Sequence, residues 1–160
     1  MKYLARVLIA LTCLVGMLAV AALPASAKVR GPNGRIVFNR FDPTSNDSLA
    51  FIINADGSNE RQLLPGIAYC PTWSPDGERV LVCVTNAKGL LRPATLEPDG
   101  SDFKLLDTPD PSLNLACGAW SSRGRLACES WDDLHPNRPA GIFTVRASDG
   151  GGLMRVTTNP

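Results

Sequence analysis

The chain holds one histidine, His135, and no G-x-S-x-G segment, so the nucleophile, base and acid of a serine hydrolase are not assembled by any local motif. Nor is there a C-x₂₋₄-C pair, which leaves zinc without its usual ligand spacing. Charge of one sign is also lacking: 16 Lys and Arg stand against 15 Asp and Glu, too even a balance to hold a phosphate backbone. Nucleic acid is therefore not an expected partner. After residue 27 no apolar run is long enough to span a bilayer, and no stretch repeats its apolar residues with a helical period. Oxygen-rich loops do occur, at Asp42, Asn46 and Asp47 and at Asp132 and Asp133, but neither has the spacing of a calcium hand, and these residue types are common turn formers. No metal and no cofactor is expected.

What is present begins with an export signal. Lys2 and Arg6 form a positive start, Val7 to Leu23 an apolar stretch, and Ala25-Ser26-Ala27 a small-residue cleavage site. Cleavage after Ala27 removes Lys2 and Arg6 from a chain of formal charge +1 and leaves −1 on residues 28–160. Cys13 leaves as well. Cys70, Cys83, Cys117 and Cys128 remain, an even number bound for an oxidising periplasmic or extracellular compartment.

Internal repetition decides the fold class. Cys70-Pro71-Thr72-Trp73-Ser74-Pro75-Asp76-Gly77-Glu78-Arg79-Val80 is echoed by Cys117-Gly118-Ala119-Trp120-Ser121-Ser122-Arg123-Gly124-Arg125-Leu126. Ala55-Asp56-Gly57-Ser58, Pro98-Asp99-Gly100-Ser101 and Ser148-Asp149-Gly150-Gly151 each precede a short basic or apolar strand. Asn33-Gly34-Arg35-Ile36-Val37-Phe38 opens a further copy without the Trp strand. Each unit parses into four short strands joined by tight glycine turns, here lettered a to d, and four strands per repeat of roughly 40–50 residues is propeller-blade arithmetic. The reading is all-β, a partial propeller of about three antiparallel blades near 34–67, 68–107 and 115–158, the first lacking strand a.

The W-S-P-D-G-x-R-V hairpin and the D-G-S turn resemble the WD40-like repeats of the periplasmic TolB propeller, its exported relatives and the propeller domains of prolyl-oligopeptidase-like peptidases. Trp73 to Gly77 matches closely. Trp120 to Gly124 departs from the pattern, with Ser122 and Arg123 in place of Pro-Asp. The resemblance implies an exported, non-catalytic scaffold for protein–protein contact. The alternative is the N-terminal propeller segment of a secreted serine peptidase or other hydrolase, its chemistry lying beyond these residues. Eleven strands are fewer than a closed ring uses, so the chain reads as the front of a longer propeller or as a stack that self-associates through its open ends. Both Trp73 and Trp120 are expected to pack between blades.

Hairpin arithmetic places Cys70 opposite Cys83 across the Pro75–Glu78 turn, and Cys117 opposite Cys128 across the Ser121–Gly124 turn. Directly opposed residues lie within disulfide range, so Cys70–Cys83 and Cys117–Cys128 are the expected bridges among three connectivities. The b-to-c segments 39–49, 85–91 and 130–140 differ in every repeat and share one rim. They present Arg40, Phe41, Asp42 and Asp47, then Lys88, then Trp131, Asp132, Asp133, His135 and Arg138. Trp beside Arg is the composition of an interface anchor, so the partner surface is expected around Trp131 and Arg138.

Overall fold

A strand reading Val80-Leu81-Val82-Cys83-Val84 turns three apolar residues to one side and two to the other, so it needs cover on both faces. The computed structural model describes residues 34–138 and 140–157 and shows both covers. Val80, Val82 and Val84 join Ala50, Ile52 and Leu63 in one core, while Leu81 and Cys83 join Leu115, Cys117, Leu126 and Val145 in another. The strand is the partition between two interfaces.

Among the described residues there are eleven strands and no helix: β1 Ile36–Asp42, β2 Asp47–Ile53, β3 Arg61–Gln62, β4 Tyr69–Trp73, β5 Val80–Thr85, β6 Leu91–Leu96, β7 Lys104–Leu105, β8 Asn114–Trp120, β9 Arg125–Trp131, β10 Gly141–Arg146 and β11 Met154–Arg155. They form three antiparallel sheets in chain order, β1 to β3, β4 to β7 and β8 to β11. This is the expected partial propeller, its first blade short of the Trp strand. The expected export signal and Cys13 lie outside the described residues.

Both repeat tryptophans sit between blades. Trp73 packs on the core between the first and second blades and donates its indole N–H to the Arg35 carbonyl at 3.0 Å. Trp120 packs on the core between the second and third.

The D-G turns set the blade spacing. Asp99 accepts from the Ser101 amide and hydroxyl, fixing a turn in which Gly100 has φ +94°. A Cβ at Gly100 would lie 2.5 Å from the Leu63 carbonyl oxygen of the preceding blade, and one at Gly150 would lie 2.4 Å from that of Asp107. Only glycine serves both the positive φ and the approach. From the other side, Arg61 donates to the Pro98 carbonyl and Lys104 to the Ser148 carbonyl, so the last strand of each blade reaches the same turn of the next.

A second link recurs one layer away. The Asn39 Oδ1 accepts the Cys70 amide at 3.0 Å, and Cys83 Sγ accepts the Cys117 amide at 3.0 Å. In each case a b-strand side chain holds the first strand of the following blade beside an irregularity in that strand.

Gly57, in the same turn of the first blade at φ +83°, meets nothing within 4 Å. Its replacement by Ala therefore isolates the backbone cost, about 1–2 kcal/mol, whereas Gly100→Ala adds the displacement of the Leu63 carbonyl, about 1–3 kcal/mol more. Paired denaturant titrations followed by tryptophan fluorescence check this, and equal losses would mean the turn does not set the spacing.

Candidate functional site

Of the three b-to-c segments, two are tight hairpins. Asp42 caps the first, accepting the Thr44 and Ser45 amides at 3.2 and 3.1 Å, and Asn46 takes φ +55°. β1 and β2 pair to their ends, Asp42 facing Asp47, so the expected 11-residue loop shrinks to residues 43–46. Arg40 is consequently a strand residue, bound to Glu60 by two 2.7 Å contacts and lying over the rings of Phe51 and Phe38 at 4.7 and 5.4 Å. Phe41 is exposed on that strand. Neither joins the Trp131 segment. Lys88 lies in the second turn, closed by Asn86, whose side chain accepts the Lys88 and Leu90 amides.

The third connection is a true loop, and a carboxylate organises it. The Asp132 side chain is fully buried and accepts from the Leu134 and His135 amides, the Ser112 hydroxyl and Arg138, while its Oδ2 lies 3.0 Å from His135 Nδ1. Burial pushes this carboxyl up, but the bonds from His135, Ser112 and Arg138 outweigh it and hold it at about 2. Arg138 also pairs with Asp110 at 2.7 Å, and Asp133 accepts from the Asn114 amide group at 2.8 Å. The structure thus brings Asp132, His135 and Arg138 together and turns Asp132 and Arg138 toward each other. Trp131 is half-buried opposite Asn114. Leu134, 70% exposed, and His135 project outward.

Ser112, Asp132 and His135 have the residue types of a catalytic triad but not its wiring. Serine and histidine both bond to the aspartate, whereas a nucleophilic serine must bond to the histidine.

The cysteines correct the predicted register. Cys117 faces Cys128, and the two are bonded with S–S 2.00 Å. The turn closes from Ser121 to Arg125, one residue shorter than its counterpart in the second blade, and an irregularity between Cys117 and Ala119 restores the pairing. In the second blade the irregularity falls between Tyr69 and Thr72, so Tyr69 rather than Cys70 faces Cys83. Cys70 takes φ +52° and is exposed, Cys83 is buried, and their thiols are unbonded but hydrogen-bonded to one another. The bond from Cys83 pulls the Cys70 thiol down to about 6, against burial and the Glu129 carboxylate; the Cys83 thiol is raised by the same bond and by burial.

The opposite rim carries a feature that the sequence analysis passed over. A cleft of about 990 Å³ lies between the a-to-b and c-to-d turns of the second and third blades. Arg79, Lys104, Arg123, Arg125 and Arg146 line it against two carboxylates, Asp76 and Asp102. Arg79 is held by Asp102 and Glu97, Arg146 by Asp149, and Arg125 by Thr144 and the Gly152 carbonyl. Among the described residues Arg123 makes no such bond. The legible signal was an arginine after each turn: Arg35, Arg79 and Arg125.

No family model and no curated protein sequence matches the chain. Solved structures do. A TolB of Agrobacterium tumefaciens superposes with TM-score 0.60 at 17% identity over 76% of this chain and 44% of its own, and TolB of Acinetobacter baumannii with TM-score 0.63 at 18% identity over 89% and 35%. The fold is that of a TolB-type β-propeller. The chain spans less than half the length of either TolB structure, and at these identities the likeness carries the propeller architecture alone.

Two outcomes follow for this TolB-like segment. A non-reducing peptide map is expected to show Cys117–Cys128 bridged and Cys70 and Cys83 as free thiols, and alkylation of Cys70 should rise with a midpoint near pH 6 while buried Cys83 stays protected. A map linking Cys70 to Cys117 or Cys128 would overturn the pairing. Asp132, held below its unfolded value of about 3.9, contributes stability above about pH 4 and loses it as pH falls toward 2. Asp132→Asn is expected to lower the Tm at neutral pH and to flatten the acid side of the Tm profile.

Proposed function

We propose that the protein is an exported, non-catalytic TolB-like propeller segment that binds a protein partner through the loop of residues 132–140. One observation carries the assignment of the surface: this loop alone among the b-to-c connections exceeds a tight turn, and buried Asp132 fixes it from beneath while Leu134 and His135 face solvent. A loop ordered before binding loses less conformational freedom on contact, the usual advantage of a rigid scaffold. Trp131 and Arg138 then serve unequally. Trp131 contributes half-buried surface at the loop's base, and Arg138 acts through Asp110 and Asp132 to hold the loop's shape. Export is supported by the charged start, apolar stretch and Ala-Ser-Ala site of residues 1–27. The TolB resemblance supports an exported compartment and a role in protein contact. The wiring of Ser112 and His135 to Asp132 supports a structural use of those residues.

A photo-crosslinking residue placed at Leu134, compared with one at Arg123 in the opposite cleft, tests this in the exporting cell. A discrete adduct from Leu134, reduced several-fold by Trp131→Ala with Arg138→Ala, is the expected result. Adducts from Arg123 alone would overturn the loop assignment, and none from either position would overturn the scaffold reading.

A further inference from the structure

Two positions change sign between the second blade and the third, and both changes fall on one wall of the cleft between these blades. In the a-to-b turns the glycine amide closes on the serine carbonyl, Gly77 on Ser74 and Gly124 on Ser121, so Asp76 and Arg123 hold the same place. In the c-to-d turns the glycine closes on the residue at the end of strand c: Gly57 on Asn54, Gly100 on Glu97, Gly150 on Arg146. Glu97 and Arg146 therefore correspond. The third blade carries arginine at both sites where the second carries a carboxylate.

Asp76 serves its own turn, accepting the Ser74 hydroxyl and the Glu78 amide. A guanidinium has no acceptor and cannot take over that role. Arg123 is exposed and makes no hydrogen bond or ion pair among the described residues, while the Ser121 hydroxyl holds the shortened turn by accepting the Arg125 amide. The exchange removes a local bond and adds none within the chain, so its effect falls on the cleft.

That effect is confined to one junction. The opening at the same rim between the first and second blades, about 440 Å³, sets Arg35 and Arg79 against Glu78 and Glu97. In the cleft of about 990 Å³ the cations outnumber the carboxylates, even with Glu97 and Asp149 counted as the partners of Arg79 and Arg146. Donors with bonds to spare stand on both walls. The third blade supplies the whole Arg123 guanidinium. The second supplies Lys104, whose ammonium group has bonded only the Ser148 carbonyl, and Thr95, its cross-strand neighbour. Thr95 alternates with Ala94 and Leu96, which pack toward the first blade, so its side chain faces the third. It is 3% exposed, it lines the cleft, and its hydroxyl has no partner among the described residues. A buried hydroxyl without a partner at the wall of a cationic cleft marks the place of an absent acceptor.

We propose that the cleft between the second and third blades binds a phosphorylated ligand, its phosphate held between Arg123 on one wall and Lys104 with Thr95 on the other. A planar carboxylate satisfies one guanidinium fork, whereas a tetrahedral phosphate offers acceptors in several directions and can reach donors on facing walls. Arg125 and Arg146, already bonded within the third blade, add to the attraction at longer range. The site lies on the rim opposite the 132–140 loop and does not rest on the reading of that loop.

Calorimetric titration of the exported protein with pyrophosphate tests the site, with tryptophan emission as a second readout because Trp120 lines the cleft. Saturable binding is expected, weakening as the ionic strength is raised to about 1 M, where the Debye length is about 3 Å. Arg123→Asp restores the carboxylate of the second blade at an exposed position without bonds. It should leave circular dichroism and the thermal midpoint intact and weaken pyrophosphate binding about tenfold, the loss of one charge-assisted hydrogen bond. Thr95→Val should weaken it several-fold. Glycerol phosphate and phosphatidylglycerol vesicles separate the sources of the phosphate. Vesicle binding displaced by pyrophosphate would place it in a lipid headgroup, and binding of glycerol phosphate without vesicle binding would place it on a soluble molecule; either supports the site. Absence of saturable pyrophosphate binding would overturn the proposal, as would binding that neither substitution alters. Succinate or a glutamate-rich peptide binding as tightly as pyrophosphate would overturn the assignment to phosphate.

Discussion

The burial of β5 on both faces is the constraint from which the remaining architecture follows. A strand with Val80, Val82 and Val84 on one side and Leu81 and Cys83 on the other cannot belong to a two-layer sandwich with a wet outer face. Each buried Val or Leu side chain is worth about 1.5–3 kcal/mol relative to exposure, so a blade left alone would forfeit both sides at once. Stability therefore resides between blades more than within them, as in other repeat stacks. The partition also explains why residues of one small sheet fall into two separate cores.

Given that partition, the turns do more than reverse the chain. Gly100 and Gly150 let a backbone turn sit against a neighbouring carbonyl, and Arg61 and Lys104 reach from the facing strand to the same turns. Apolar contact is non-directional and would allow one blade to slide over the next. Hydrogen bonds to a particular carbonyl, with a glycine that admits no side chain, fix the stagger. Asn39 and Cys83, each accepting an amide from the first strand of the following blade, fix it again on another layer.

The repeat, the strand count and the inter-blade place of Trp73 and Trp120 were all legible in the sequence, because they depend on residue type at a fixed period. Register was legible only near the turns. Thr72 faces Leu81 and Trp73 faces Val80 as the turn dictates, but the irregularity before Thr72 shifts the pairing, and Cys70 leaves its place opposite Cys83 to Tyr69. A local irregularity of this kind leaves no periodic trace. The length of the first connection was misread for a related reason: Asp42, Asn46 and Asp47 look like loop composition, yet Asp42 and Asn46 close a tight turn between strands paired to their ends. The geometry of the 132–140 loop was not legible. Asp132, His135 and Arg138 do meet, but spacing along the chain does not say whether a carboxylate looks outward to a ligand or inward to order its own loop.

That inward turn has a consequence for how the two rims divide their chemistry. A buried carboxylate beneath the 132–140 loop concentrates negative charge where it is fully matched by Ser112, His135, Arg138 and two amides, so the loop's outer surface is left to Leu134 and the imidazole. Across the blades, the arginine that follows each turn gathers cations beside the short connections, where Asp76 and Asp102 answer only some of them. Tight turns permit little variation in backbone, and so the variation on that rim is carried by charge. The long loop varies in shape and spends its charges on holding that shape. Contact through the loop is thus expected to depend on apolar fit and to be little affected by salt, whereas any ligand of the cleft would be screened by it.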